Sequence, residues 1–361
     1  MSIRKLADGR YEWRHRVGGR HLKKTFARRA DAVAHDSNTR ANLARGTHVD
    51  PTNKTTVAEY FQSWIEGRVI RPSTVAIYRN VLKTHIEPLP LGSRPLVKVR
   101  PSEIQAWVRS RADVLAPYTL RIYTGLLRSA FETAVQEGLA LRNPVQSAGR
   151  ISLPRMDKRD LVPLTVTQVS AWADRAAPRV RGMILTQAGL GLRISELRAL
   201  RVADVDFLRR EVRIIEQLDK ACRRVPLKTA NSRREVPLPS VTADVLARHI
   251  ATFPPSPDGL IFTSTVGAWS DRRLGQAYRD AARVAGLPDG TTSHDLRHHY
   301  ASVLLDAGES VHAVAARLGN TAGMVLNVYG HLMPDREDTT RRAVDVAWAA
   351  AEDAPQGAAR K

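Results

Sequence analysis

Apolar positions along the chain change period three times. Over the first fifty residues they alternate. Tyr11 to Val17 (YEWRHRV) and His21 to Phe26 (HLKKTF) are rich in β-formers, and Gly18-Gly19 between them reads as a hairpin turn. A stretch of helical composition follows and ends at Gly46, with Pro51 beyond. From Thr55 to about Gly138 the period becomes helical. Val57, Tyr60, Phe61 and Trp64 share one stripe, and Pro72-Ser73 opens a second helix with Val75, Tyr78 and Leu82 facing inward. Pro101 starts a third, and the longest runs from Tyr118 until Gly138 closes it. This pattern predicts a four-helix unit with Arg71, Lys83, Arg109, Arg111, Arg121 and Arg128 on its exposed face.

Residues 141–163 carry Asn143-Pro144, Pro154 and Pro163, mixed charge and no periodicity, which reads as a linker. Beyond it the pattern mixes. Helices are expected up to about Ala176 and then Leu190, followed by strand-like runs at 211–218, 222–228 and 233–239, and by helices to about Ala350. The expected fold is multidomain α+β. It comprises a small N-terminal β-sheet-plus-helix unit (1–50), an all-α helical unit (55–140), the linker, a mixed α/β domain (164–350) and a disordered tail (351–361).

Charge sharpens this picture. Lys and Arg number 56 against 36 Asp and Glu, a formal +20. That excess repels itself, and a polyanionic partner is its usual compensation. The first fifty residues hold 12 Lys/Arg against 5 Asp/Glu, and a basic hairpin packed on a helix is a form that reads DNA grooves. Arg14, Arg16, Lys23 and Lys24 are the expected DNA contacts there, and Arg71, Lys83, Arg121 and Arg128 those of the helical unit. A membrane surface fits less well. No apolar stretch approaches the roughly 18 residues of a spanning helix, and the amphipathic 343–354 segment is acidic. The first residues lack the apolar core of a signal peptide. The single cysteine, Cys222, excludes a disulfide framework and a multi-cysteine zinc site, and suits a reducing cytoplasm.

The chemistry concentrates in four stretches: GLGLRISELRAL (189–200), VPLKTANSRREVPLP (225–239), HDLRHHYAS (294–302) and LGNTAGMVLNVYGHL (318–332). Arg193 lies between Leu192 and Ile194, and Glu196 three residues on can orient its guanidinium. His294 and Arg297 share one helical face. Two arginines so placed suit the two non-bridging oxygens of one phosphate. His294-Asp295-x-x-His298 also has the spacing of a zinc helix, but Asp is short for the usual base role and no third ligand follows. No metal and no cofactor is expected.

The order GLRxxEL, a lysine in a β-hairpin, HxLRH, then LGx(9)Y resembles the tyrosine recombinases, the phage-type integrases. The N-terminal unit, helical unit and linker match the larger members, with an arm-type DNA-binding domain and a core-binding (SAM-like) domain before the catalytic one. The resemblance implies that Tyr329 attacks the scissile phosphate to give a 3′-phosphotyrosyl bond and a free 5′-hydroxyl. Arg193 and Arg297 would stabilise the phosphoryl oxygens, Lys228 protonate the departing 5′-oxygen, and His294 assist proton movement at the tyrosine. One position departs from the pattern. The residue nine before the nucleophile, usually His or Trp, is Asn320, which can still donate a hydrogen bond. Glu196 and His331 are supporting candidates, His331 as partial compensation for Asn320 or as a structural residue.

The implied function is site-specific recombination of phage or mobile-element DNA at attachment sites. The implied partners are double-stranded DNA, a homotetramer on it, a DNA-bending protein and a directionality factor, all in a bacterial cytoplasm. The apolar stripe Ala343, Val346 and Trp348 would dock on a neighbouring subunit or on its own domain. Two other readings remain: a DNA-binding protein with a degenerate site, and a type IB topoisomerase-like relaxing enzyme.

Overall fold

The computed structural model describes residues 2–17, 20–44, 49–146, 151–156, 161–227, 232–332 and 337–352. Its contacts divide the chain into two compact units, Met1–Lys158 and Arg159–Lys361. The first begins with a three-stranded antiparallel sheet, β1 (Ser2–Lys5), β2 (Tyr11–Val17) and β3 (Arg20–Phe26), packed on α1 (Arg29–Ala44). The hairpin expectation captures β2 and β3, and its Gly18-Gly19 turn lies outside the described residues. The strand β1 is additional: the Asp8-Gly9 turn, with Gly9 at φ 81°, folds it back onto β2. Trp13, 2% exposed, is the centre of this small unit, and its indole donates to Asp36 Oδ1 at 2.8 Å.

Alternation assigns the sheet's two faces. Opposed residues lie on one face, and Arg14 opposes both Ser2 and Lys23 while Arg4 opposes Glu12. Arg4, Arg14, Arg16 and Lys23 therefore share the outer face and are exposed. Lys24 does not. It opposes Trp13 on the helix side, its ammonium 5.3 Å from the Phe26 ring centroid.

The helical part follows the predicted stripes in α2 (Val57–Glu66), α3 (Pro72–Val81), α4 (Pro101–Ala112) and α5 (Pro117–Gln136). Val57, Tyr60, Phe61 and Trp64 are buried together. Thr56 and Glu59 form a reciprocal capping box that starts α2. The second helix continues past Val81, widening to i→i+5 bonding over Leu82–Ile86. Arg71, Lys83, Arg109, Arg121 and Arg128 are exposed, whereas Arg111 is half-buried near His85. The segment read as a linker is ordered at its start. Asn143 donates to the Arg128 carbonyl and to Glu132, and Val145 joins the helical core.

In the second unit α6 (Val166–Asp174) and α7 (Pro178–Leu190) lead into α8 (Ile194–Ala199) and strands β4 (Val205–Asp206), β5 (Glu211–Ile214), β6 (Glu216–Leu218), β7 (Arg224–Pro226) and β8 (Arg234–Pro237). The 211–218 run is split at Ile215. Its first half joins the β4-β5-β8 sheet, and its second half forms a hairpin with β7. Then come α9 (Ser240–Thr252), the short hairpin β9 (Thr263–Ser264) and β10 (Gly267–Ala268), α10 (Asp271–Val284), α11 (Ser293–Asp306), α12 (Val311–Leu318), α13 (Ala322–Tyr329) and α14 (Glu337–Glu352). The central helix is α7, packed against α6, α9 and α11. On α14, Val346 and Trp348 are exposed, and the tail beyond Glu352 lies outside the described residues.

His249 on α9 packs against the Phe253 and Phe262 rings and is 5% exposed. Burial, then the Arg179 charge, push it down to about 4. An unfolded chain protonates this imidazole near its ordinary value of about 6.5, so stability should be lost as pH falls from about 6.5 towards 4. At pH 5 the contribution is about 2 kcal/mol. Urea unfolding at pH 7 and pH 5 should show that loss in the wild type and a correspondingly weaker pH dependence in His249→Phe. Equal pH dependence in the two proteins would clear His249 as the source.

Candidate active site

Two helices of the second unit end at glycines in the left-handed region, Gly191 after α7 (φ 62°) and Gly319 after α12 (φ 61°). Such ends leave backbone carbonyls without helical partners. Two guanidinium groups take them up. Arg297, on α11 and 2% exposed, donates through Nη1 to Gly191 O at 2.7 Å and through Nη2 to Leu318 O at 2.5 Å. Arg193 Nη2 donates to Gly319 O at 3.3 Å. Gly191 also permits close packing, since a Cβ there would meet the Tyr300 ring at 2.3 Å. The GLG and LGN stretches are thus the places where helix C-termini, with their partial negative charge, meet the arginines.

Asn320 joins the two. Its Oδ1 accepts from Arg193 Nη2 at 2.9 Å and from Arg297 Nη2 at 3.2 Å. Guanidinium groups only donate, so the amide oxygen must face them and the NH₂ remains the group's donor.

Glu196, 2% exposed, supplies the counter-charge. It accepts from the Arg193 backbone N at 2.9 Å and from Nη1 at 2.8 Å. Arg234 of β8 holds it bidentately at 2.8 and 3.2 Å, and Arg234 Nε donates to Arg317 O on α12 at 2.7 Å. Burial opposes ionisation of Glu196, but Arg234 and then Arg193 outweigh it and hold the carboxyl below its ordinary range. For Arg297, burial and then the Arg193 charge push it down to about 9. Around one carboxylate stand three guanidinium groups, so the cluster carries net positive charge, and of the three Arg193 is the one with a third of its side chain exposed.

Tyr329, the last residue of α13, is 3% exposed. Its hydroxyl lies 2.8 Å from His298 Nδ1 on α11. Burial raises this phenol above its ordinary value, with Arg297 opposing in part. His294 lies one turn before His298 and is exposed, its ring edge-on to that of His298 with centroids 4.6 Å apart. The partner of the phenol is therefore His298, not His294. Lys228 lies outside the described residues, between β7 and β8. His331 bonds through Nε2 to the backbone O of Leu161 at 3.1 Å, a structural tie.

Residues 162–336 match the phage integrase family, and residues 56–110 its N-terminal SAM-like domain. The chain belongs to the phage integrase family. Relatives include the integrase of Mycobacterium phage D29, 26% identical over 81% of this chain and 79% of the phage protein. A XerC-like tyrosine recombinase of Caldanaerobacter subterraneus is 24% identical over 82% of this chain and 84% of its own. Among solved structures, the Tn1549 transposon integrase bound to a circular-intermediate DNA aligns with a TM-score of 0.69 at 24% identity, covering 81% of this chain and 99% of that one. A lambda integrase tetramer on a Holliday junction aligns with 0.59 at 19% identity, over 93% and 95%. These likenesses describe the fold, a small N-terminal sheet, a SAM-like helical region and a mixed α/β catalytic domain.

Within this family frame, the catalytic unit brings together Arg193, Glu196, Arg297, Asn320 and Arg234, with His294 and Tyr329 on the adjoining faces of α11 and α13. Sequence reasoning missed Arg234 and the placement of His298. The RREVPLP run carries a polar residue at an inward strand position, which is a signal for the first. Losing Glu196 would leave three close cations without their buried counter-charge. Glu196→Ala is expected to destabilise the protein by about 3–5 kcal/mol in chemical denaturation. A change under about 1 kcal/mol would mean that water or anions neutralise the cluster instead.

Proposed function

We propose that the chain is a site-specific DNA recombinase that integrates and excises phage or mobile-element DNA at attachment sites. Tyr329 is the nucleophile, the intermediate is a 3′-phosphotyrosyl bond, and strand exchange passes through a Holliday junction. The observation that carries this reading is the convergence of Arg193 and Arg297 on one acceptor, beside a tyrosine on the next helix. That pair supplies preorganised charge for a phosphoryl group. The covalent bond retains the phosphodiester's energy, so rejoining needs no nucleotide. In this reading Lys228 protonates the leaving 5′-oxygen, and Asn320 donates its NH₂ to a phosphoryl oxygen.

DNA binding divides among the units. The outer sheet face of Arg4, Arg14, Arg16 and Lys23 suits an arm site. Exposed Arg71, Lys83, Arg121 and Arg128 suit the core site. Assembly is as a homotetramer on two duplexes, helped by a bending protein and a directionality factor, in the bacterial cytoplasm. A repeat flanking the gene that matches a host sequence would locate the core.

On a nicked duplex carrying that core, wild-type protein should form a covalent adduct, and Tyr329→Phe should bind the duplex equally well yet form none. Arg193→Ala and Arg297→Ala should each slow adduct formation by at least about 100-fold. An adduct with Tyr329→Phe would mean that another residue is the nucleophile. Equal binding by the wild type with no adduct would favour a binding module, and relaxation of supercoils without site preference a topoisomerase.

Asn320 has its own expected signature. Single-turnover adduct formation should fall on the order of 10-fold to 1000-fold in Asn320→Ala, which loses both the acceptor and the donor. Asn320→Asp should be slower still, because a carboxylate satisfies the arginines and repels the phosphate. Asn320→Ala at the wild-type rate would make the position structural only.

A further inference from the structure

A phenol that attacks phosphorus must lose its proton, and Tyr329 begins with its proton held more firmly than usual. Among the described residues its hydroxyl has one hydrogen-bond partner, His298 Nδ1 at 2.8 Å. That distance lies within the reach required of a general base. Behind His298 stands His294, edge-on and exposed, so that two imidazoles lead from a buried phenol to solvent. We propose that His298 accepts the Tyr329 proton during attack, with His294 as the positioning residue that fixes the His298 ring. This deepens the recombinase reading above and rests on it.

The protonation states agree with the geometry. Burial, then the charges of His294 and Arg297, push His298 down to about 4, so near neutrality the ring is uncharged. A neutral imidazole donates from one nitrogen and accepts at the other. With Nδ1 facing the phenol as acceptor, Nε2 carries the proton and the tyrosine donates.

In the step, the Oη–P bond forms and the phenolic proton passes to His298 Nδ1. The P–O5′ bond breaks with its electron pair on the 5′-oxygen, which takes its proton from a separate donor, Lys228 in this reading. On religation an incoming 5′-hydroxyl returns its proton to that same donor as it attacks phosphorus and displaces the tyrosine, and His298 returns the other proton to Oη. Atoms and charge balance without a co-reactant. His298 thus acts on the nucleophile's side of phosphorus and Lys228 on the leaving group's side.

That division makes the two separable. Adduct formation would be measured on a nicked core duplex with an ordinary 5′-oxygen at the scissile phosphate, and on one with a 5′-bridging sulfur, whose thiolate leaves without a proton. His298→Ala removes the acceptor, and His298→Gln keeps side-chain volume and a hydrogen bond but cannot take up a proton. Both variants should bind the duplex like wild type and form adduct about 100-fold more slowly or worse. Sulfur should not restore them. It should restore Lys228→Ala.

A wild-type rate in His298→Gln would overturn the proposal, and so would recovery of either variant on the sulfur duplex. A faster rate in His298→Ala would overturn it too, showing that the contact is a latch that restrains the tyrosine. Wild-type protein that binds but forms no adduct on either duplex would overturn the recombinase reading itself, a result separable from all of these.

Discussion

Two like charges are held together in the interior of the catalytic unit. Arg193 and Arg297 donate to a single amide oxygen, and Arg234 stands close enough to share Glu196 with Arg193. Guanidinium groups in such a place repel one another and lose hydration, so they stay only where fixed acceptors compensate. The acceptors are of two kinds. One buried carboxylate carries a full charge, while backbone carbonyls at helix ends and the Asn320 oxygen carry partial charge. The first kind neutralises, and the second kind aligns.

Much of the local architecture follows from delivering those acceptors. The ends of α7 and α12 must present carbonyls toward α11, and glycines at Gly191 and Gly319 let the chain turn there with positive φ. Glu196 sits three residues after Arg193, so that one side chain caps the Arg193 amide and pairs with its guanidinium. Arg234 then ties β8 to α8 and α12 at once. A strand in the polypeptide just after Lys228 is thereby fixed to the arginine cluster.

The helical unit and the arginine pair were legible because their signals are local. Apolar stripes at spacings of three and four survive any tertiary detail, and the GLRxxEL and HxLRH stretches state their residue types outright. What escaped depends on neighbours. The strand β1 carries a single apolar residue, Ile3, too little to show alternation, and only its pairing with β2 reveals it. Lys23 and Lys24 are adjacent in a strand, so only one of them can share the face of Arg14. HDLRH offers two histidines one turn apart. Which of them meets Tyr329 is set by how α11 and α13 pack, a relation that no spacing within either segment encodes. Arg111 looks like a surface arginine in sequence, yet it is half-buried and its charge acts on His85.

In the proposed reaction, the storage of positive charge is separate from the making of the nucleophile. Arg297 is pressed below its ordinary value by burial and the Arg193 charge, so in the proposed reaction an incoming phosphodiester would relieve that repulsion in addition to accepting hydrogen bonds. That relief would grow as a second negative charge develops on the phosphoryl oxygens, favouring the transition state over the bound ground state. Tyr329 meanwhile stays protonated, because its burial outweighs the Arg297 charge. The site therefore holds no free phenolate, and in the proposed reaction Tyr329 would become a strong nucleophile only as its proton departs. A carboxylate in place of Asn320 would hold the arginines more tightly, but it would neutralise the charge that the proposed reaction needs for a phosphate. An amide aligns the same two groups and leaves their charge available.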